Sequence, residues 1–217
     1  MPGLDPAEIG AARAHLAGVD EALARAHAAT PDFAWRNWQA GYAGLLRVIV
    51  GQQVSTASAA AIWARLQAGL GDSMTAQDVL RQDVAGLRAF GLSLPKAKYA
   101  LAIAAAERDQ AIVFDDLPGL DDEAALAALT RLTGVGRWTA EVYLSFCEGR
   151  PDLFPAADIA LQEGLRLAEQ SSRRLDAVAL QARAEAWRPH RGVAAHLLWA
   201  YYGGVRRGEI DPHAPCG

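Results

Sequence analysis

The residues best suited to chemistry fall in one short stretch, Leu132-Thr133-Gly134-Val135-Gly136-Arg137-Trp138-Thr139-Ala140-Glu141. Two glycines two apart, directly before a predicted helix, permit a turn that residues with a Cβ resist. They also let a partner come close to the backbone. The amides that open the following helix point outward, and the helix dipole adds partial positive charge, so a phosphate fits there. Arg137 supplies a full charge and Thr139 a hydroxyl donor. Such a grip holds a phosphate without reading any sequence. A tight helix connection in which the glycines serve packing alone fits the same letters, because Gly-x-Gly by itself says little. A second turn into a helix, Gly91 to Lys98, carries Lys96 and Lys98 and reads either as a further phosphate contact or as a solvated basic helix start. Asp158 stands immediately before a helix predicted from Ile159; as its N-cap it contributes about 1 kcal/mol and is held fixed and ionised. Asp152, in the loop Arg150-Pro151-Asp152, is the other acid of that region.

The elements that must position these groups all read as helices. Asp5 to Ala28 is rich in Ala, Leu and Glu and is predicted as one helix, broken by Pro31. Phe33, Trp35 and Trp38 cluster in a short connector, as core or as walls of a pocket. Helical spacing then predicts 41–50, 56–70 with Ser55 as cap, two short helices capped by Thr75 and Asp83, a helix opened by Pro95 to about Arg108, and one capped by Asp121 or Asp122 to Leu132. Past the glycine turn come 137–146, 158–169, 176–186 and 191–202. Only Ala111 to Phe114 could be a strand, and it is too short to build on. The expectation is an all-α protein of roughly ten helices in two lobes with a cleft between them, lobe A being about 1–40 plus 150–217 and lobe B about 41–149.

Composition narrows the class. A 52% hydrophobic content supplies a packed core, and charges interrupt every apolar run before it could span a bilayer. The opening residues lack the basic and apolar regions of a signal peptide, so a cytoplasmic protein is expected, nucleoid-associated if bacterial. Two cysteines, Cys147 in an apolar helix and Cys216 in a Pro-rich tail, neither suggest a disulfide framework nor suffice for a four-cysteine iron–sulfur cluster. The net charge of −4 argues against nucleic-acid affinity driven by charge alone.

The glycine turn resembles the hairpin of the helix-hairpin-helix DNA glycosylases, and three further segments resemble that family in the same order. Gly51-Gln52-Gln53-Val54-Ser55 is similar to its wedge region, Phe154-Pro155-Ala156-Ala157-Asp158 to its acid-bearing turn, and Trp187-Arg188-Pro189-His190-Arg191 through Tyr201 to its closing helix. Gly-Arg-Trp-Thr-Ala at 136–140 resembles the alkylpurine branch, 3-methyladenine DNA glycosylase II, in a compact form without the N-terminal β-rich domain of longer members. The resemblance implies a monofunctional enzyme of base excision repair that flips a nucleotide and hydrolyses its N-glycosidic bond. It implies Asp158 as the catalytic carboxylate. Trp138 stands where bifunctional members carry a Schiff-base lysine, and with Phe33, Tyr143 and His190 it would line the base pocket. Gly134, Val135, Gly136, Arg137, Thr139, Lys96 and Lys98 would meet DNA, with Gln52 and Gln53 as the wedge. Gln53 departs from the leucine of the best-known alkylpurine members, and His190 and Val142 stand where relatives carry aromatics. The expected partner is double-stranded DNA bearing alkylated bases, bound by a monomer with no metal cofactor, save a monovalent cation that family members can hold on hairpin carbonyls, here near Leu132 and Val135. Two other readings stay open: a glycosylase for mismatched or deaminated bases, and a non-catalytic DNA-binding module.

Overall fold

The computed structural model describes residues 3–214, which form twelve α-helices and two short 3-10 turns, with no strand among the described residues. Ala111–Phe114, the strand candidate, leads into a 3-10 turn at Phe114–Gly119. Cys216 and the first two residues lie outside the described range. The chain divides into two compact units at 37/38 and 143/144, where the sequence set the divisions at 40/41 and 149/150.

The first unit joins the residues up to Asn37 to those from Leu144 onward. It contains α1 (Pro6–Val19), α2 (Glu21–Ala29), α10 (Ile159–Ala168), α11 (Ala177–Ala184) and α12 (Arg191–Arg207). Helix α12 packs on α1, α2 and α10, and the shared core includes Leu16, Leu23, Leu161, Leu165, Leu180, Trp187 and Leu198. Burying each of these leucines stabilises the fold by about 1.5–3 kcal/mol.

The single helix expected over Asp5–Ala28 is two helices. Asp20 adopts extended backbone (φ −146°, ψ 119°), and its side chain accepts from the amides of Ala22 and Leu23 to start α2. The same carboxylate accepts from Arg183 Nε and from the Trp187 indole, both at 3.0 Å. Burial pushes the Asp20 carboxyl up, yet Arg183 and Trp187 outweigh it and leave the pKa below its ordinary value.

The second unit, Trp38–Tyr143, carries α3 (Tyr42–Gly51), α4 (Thr56–Leu70), α5 (Ala76–Leu80), α6 (Val84–Ala89), α7 (Leu94–Arg108), α8 (Asp122–Thr130) and the first part of α9 (Arg137–Cys147). Its starts are set locally: Ser55, Thr75, Asp83, Ser93 and Asp121 each accept an amide of the first turn that follows. Ser93 caps α7, which places Pro95 in its first turn, where a missing N–H costs nothing. Helix α7 packs on α3, α5 and α6, and the Tyr42 hydroxyl donates to the Ala100 carbonyl at 2.9 Å. No helix among the described residues is long and apolar enough to cross a membrane.

Candidate active site

In the first unit the approach to Asp158 is held from below. Leu153, Phe154 and Ala156 are buried, the Phe154 ring meets Trp187 edge-on at 5.3 Å, and Gln162 Nε2 donates to the Ala156 carbonyl at 2.9 Å. These anchors leave Asp158 half-buried at the start of α10. Its Oδ1 accepts from the amides of Ala160 (2.8 Å) and Leu161 (3.2 Å), so capping fixes the carboxylate rather than competing with a chemical role. Asp152 is differently committed. Arg188 donates to it at 2.6 Å and Arg191 Nε at 3.0 Å, and Arg191 also grips its backbone carbonyl at 2.7 Å. The Arg188-Pro189-His190-Arg191 segment therefore clasps the loop ahead of Asp158.

Arg36, in the aromatic connector, feels the charge of that acid. Its guanidinium lies 5.2 Å from the Phe146 ring centre and 5.3 Å from that of Trp199. The residue keeps exposed surface, but the head group is crowded enough that burial lowers its pKa, an effect the Asp158 charge opposes. Beneath it, His196 stacks on Trp35 at 4.1 Å and on Phe33 at 6.4 Å, and meets Phe146 edge-on at 5.4 Å. The His196 Nδ1 bonds the Gly192 carbonyl at 2.8 Å, which makes Nε2 the acceptor for the Arg36 amide at 3.4 Å. Burial takes the His196 pKa down to about 3, so the ring is neutral. Trp35 is core, its indole donating to the Ser145 carbonyl at 3.1 Å. Phe33 is half-buried beneath the Arg13 guanidinium, 5.0 Å from its ring centre. His190 packs edge-on against His15 at 5.3 Å.

In the second unit the glycine turn has two differently used glycines. Gly134 has φ +86°, and a Cβ there would lie 2.3 Å from the Tyr99 ring, so both conformation and space demand glycine. Gly136 has no such constraint: a Cβ would meet nothing within 4 Å. The interior of the protein gives no reason for glycine at 136. Val135 is buried, and its amide is spent on the Leu132 carbonyl at 3.1 Å. It anchors the turn from inside.

The turn at 51–55 is wired to this hairpin. Gln52 Nε2 donates to the Gly134 carbonyl (3.2 Å) and to the Thr139 hydroxyl (2.9 Å). The Lys96 ammonium donates to the carbonyls of Val50 (2.8 Å) and Gln52 (2.6 Å). Between these fixed points Gln53 is exposed with φ +55°, a region non-glycine residues seldom occupy.

A family model described as HhH-GPD superfamily base excision DNA repair protein matches residues 46–189, which takes in the turn at 51–55, the hairpin, Asp158 and the Arg188-Pro189 clasp. The chain belongs to the HhH-GPD superfamily. Among its relatives, the Bacillus subtilis protein YfjP is 26% identical over 165 residues, 73% of this chain but 58% of the relative's length. DNA-3-methyladenine glycosylase 1 of Schizosaccharomyces pombe is 29% identical over 161 residues, covering 73% of this chain and 71% of that one. A solved structure of the S. pombe 3-methyladenine DNA glycosylase in complex with abasic DNA superposes with a TM-score of 0.83 at 26% identity, over 94% of this chain and 99% of that one. The Clostridium acetobutylicum 8-oxoguanine glycosylase/lyase, at 13% identity and a TM-score of 0.75 over 92% of this chain and 70% of that one, shares the fold.

On this HhH-GPD scaffold several residues expected at the surface do other work. Tyr143 is fully buried, so it offers no face to a base; its hydroxyl accepts from the Gly41 amide at 2.9 Å. Thr139 is 3% exposed and its hydroxyl serves Gln52, which removes it as a direct phosphate donor. Arg137 is 59% exposed but bonds Glu141 at 2.9 Å and Glu123 at 3.3 Å, so a phosphate has to compete with two carboxylates. Lys96 and Gln52 are spent inside the unit, which leaves Gln53 as the exposed member of the expected wedge pair. Trp138 is half-buried on the first turn of α9, and Lys98 is exposed on α7.

Proposed function

We propose that the chain is a monofunctional DNA glycosylase that removes alkylated purines of the 3-methyladenine type from double-stranded DNA, working as a cytoplasmic monomer. The observation that carries this reading is Asp158: a carboxylate fixed through Oδ1 at a helix start, under the influence of Arg36, in a chain whose superfamily repairs bases. Asp152, its one competitor nearby, is taken up by Arg188 and Arg191. The names of the S. pombe relatives point to the same substrates.

The chemistry needs little else. Alkylation at N3 or N7 leaves the purine cationic, so it departs with the bonding electron pair as a neutral base and needs no acid. The sugar left behind is oxocarbenium-like, and one fixed carboxylate stabilises it electrostatically. Water then bonds to the anomeric carbon, and the same carboxylate orients it and takes its proton. Trp138 offers a π face to the cationic base, worth about 0.5–2 kcal/mol. It has no amine, so no Schiff base forms and no lyase step follows. The fold is shared with a glycosylase/lyase, which leaves this residue to decide the matter. Gly136 and the first amides of α9 take a backbone phosphate, and Gln53 fills the gap left by the flipped nucleotide. A monovalent cation would be held by the carbonyl oxygens of Leu132 and Val135, donors suited to a hard ion; no step of the chemistry runs through it.

Release of free 3-methyladenine and 7-methylguanine from methylated DNA tests the reading. Asp158→Asn is expected to bind DNA as the parent does and to lose about 10²–10³-fold in single-turnover release. Undiminished release by that variant removes Asp158 from the role. A borohydride-trapped covalent adduct with DNA overturns the monofunctional assignment.

A further inference from the structure

We infer that Lys96 and Gln52 are positioning residues: together with Thr139 they lock the Gln53 turn to the glycine hairpin, and they serve eversion of a base-paired nucleotide rather than cleavage of the bond. The inference rests on the proposed glycosylase reading.

The α3 C-terminus leaves carbonyls without helical partners. In most helix ends water or a following amide takes them. Here a side chain from the first turn of α7 does so, with the Lys96 ammonium on Val50 and Gln52 at 2.8 and 2.6 Å. A cation at that end also meets the negative pole of the helix. Burial lowers the Lys96 pKa, as expected of an ammonium facing inward. The backbone of residue 52 is thus held from one side. Its side chain is held from the other, by the Gly134 carbonyl and the buried Thr139 hydroxyl. Gln53, the next residue, takes its left-handed backbone directly after a residue anchored by three of these four bonds, so the turn is fixed on its N-terminal side.

Stiffness matters for a side chain that enters a base stack. Eversion costs a few kcal/mol of pairing and stacking, and a yielding turn would retreat instead of displacing the nucleotide. The same bonds tie the wedge to the residues that grip a phosphate, so the contact with the strand and the inserted side chain keep one spacing. Cleavage of a nucleotide that is already unpaired places no such load on the turn. That difference separates positioning of the wedge from ordinary support of the fold.

The experiment uses one oligonucleotide duplex with a single 7-methylguanine, placed opposite cytosine or opposite a synthetic abasic site. Lys96→Met keeps the apolar stem and removes the charge. It is expected to slow single-turnover release about tenfold or more opposite cytosine and less than about twofold opposite the abasic site. Lys96→Arg, which keeps a cation, is expected to recover most of the loss, and Gln52→Leu to repeat the Met pattern. Gln53→Ala should show the same selectivity, and Lys96→Met added to it should cost no more, because both act on one step. Equal losses on the two duplexes, no loss on either, or additive losses in the double variant each overturn the inference. Release from neither duplex by the parent protein overturns the glycosylase reading instead.

Discussion

His196 shows how much one side chain depends on partners that its neighbours in sequence do not reveal. Its Nε2 accepts from the Arg36 amide and its ring lies on Trp35, so it functions only as a neutral base. The native pKa of about 3 lies below the ordinary 6.5, so the unfolded chain takes up a proton that the native state refuses. The stability involved is full above the ordinary value and is lost as pH falls toward the native one, with a slope of at most about 1.4 kcal/mol per pH unit. Chemical unfolding followed between about pH 6.5 and 4.5, above the range of most carboxylates, should show this slope in the parent and a flatter one in His196→Phe. Parallel curves would mean that the ring titrates normally. Asp158 and Arg36 were unevenly legible. Asp158 is readable locally only as the cap of the helix it precedes; its candidacy for chemistry comes from the resemblance to the glycosylase family. Arg36 lies inside an aromatic connector, and its link to Asp158 bridges segments far apart in the chain, so nothing nearby marks it.

At the scale of elements, what the sequence displayed were the starts. Ser55, Thr75 and Asp83 were each readable as caps because a cap is a bond to the next turn, and of the two candidates Asp121 and Asp122 it is Asp121 that caps. The break between α1 and α2 was not readable. Its determinant, Asp20, is completed by Arg183 and Trp187 from the far end of the chain. The Lys96 turn failed for the same reason: two lysines at a helix start look solvated until the α3 carbonyls arrive. The hairpin gives an element-scale prediction. Gly134→Ala must leave a left-handed backbone and collide with Tyr99, and is expected to destabilise the fold by about 2 kcal/mol or more. Gly136→Ala meets open space, so its unfolding should stay within about 0.5 kcal/mol of the parent while DNA binding weakens. Denaturation and a binding titration on the two variants check the contrast. Equal effects on stability would mean that Gly136 is a packing residue after all.

Taken whole, the molecule keeps much of its positive charge for itself. Arg13, Arg137, Arg183, Arg188 and Arg191 all pair with carboxylates of the same chain. That agrees with a net charge of −4 and leaves backbone amides a large share of any hold on a polyanion. The left-handed Gln53 then bears on what this protein can become. A glycine would sit there at ease, and Gln53→Gly is expected to raise the unfolding free energy by about 0.5–1 kcal/mol while cutting release from fully paired DNA; melting curves and turnover on one preparation would show both. A breeder of heat-hardy variants who watched only the melting point would keep that mutation. The result would be a sturdier molecule that, on the proposed reading, has lost its means of lifting a base out of the stack.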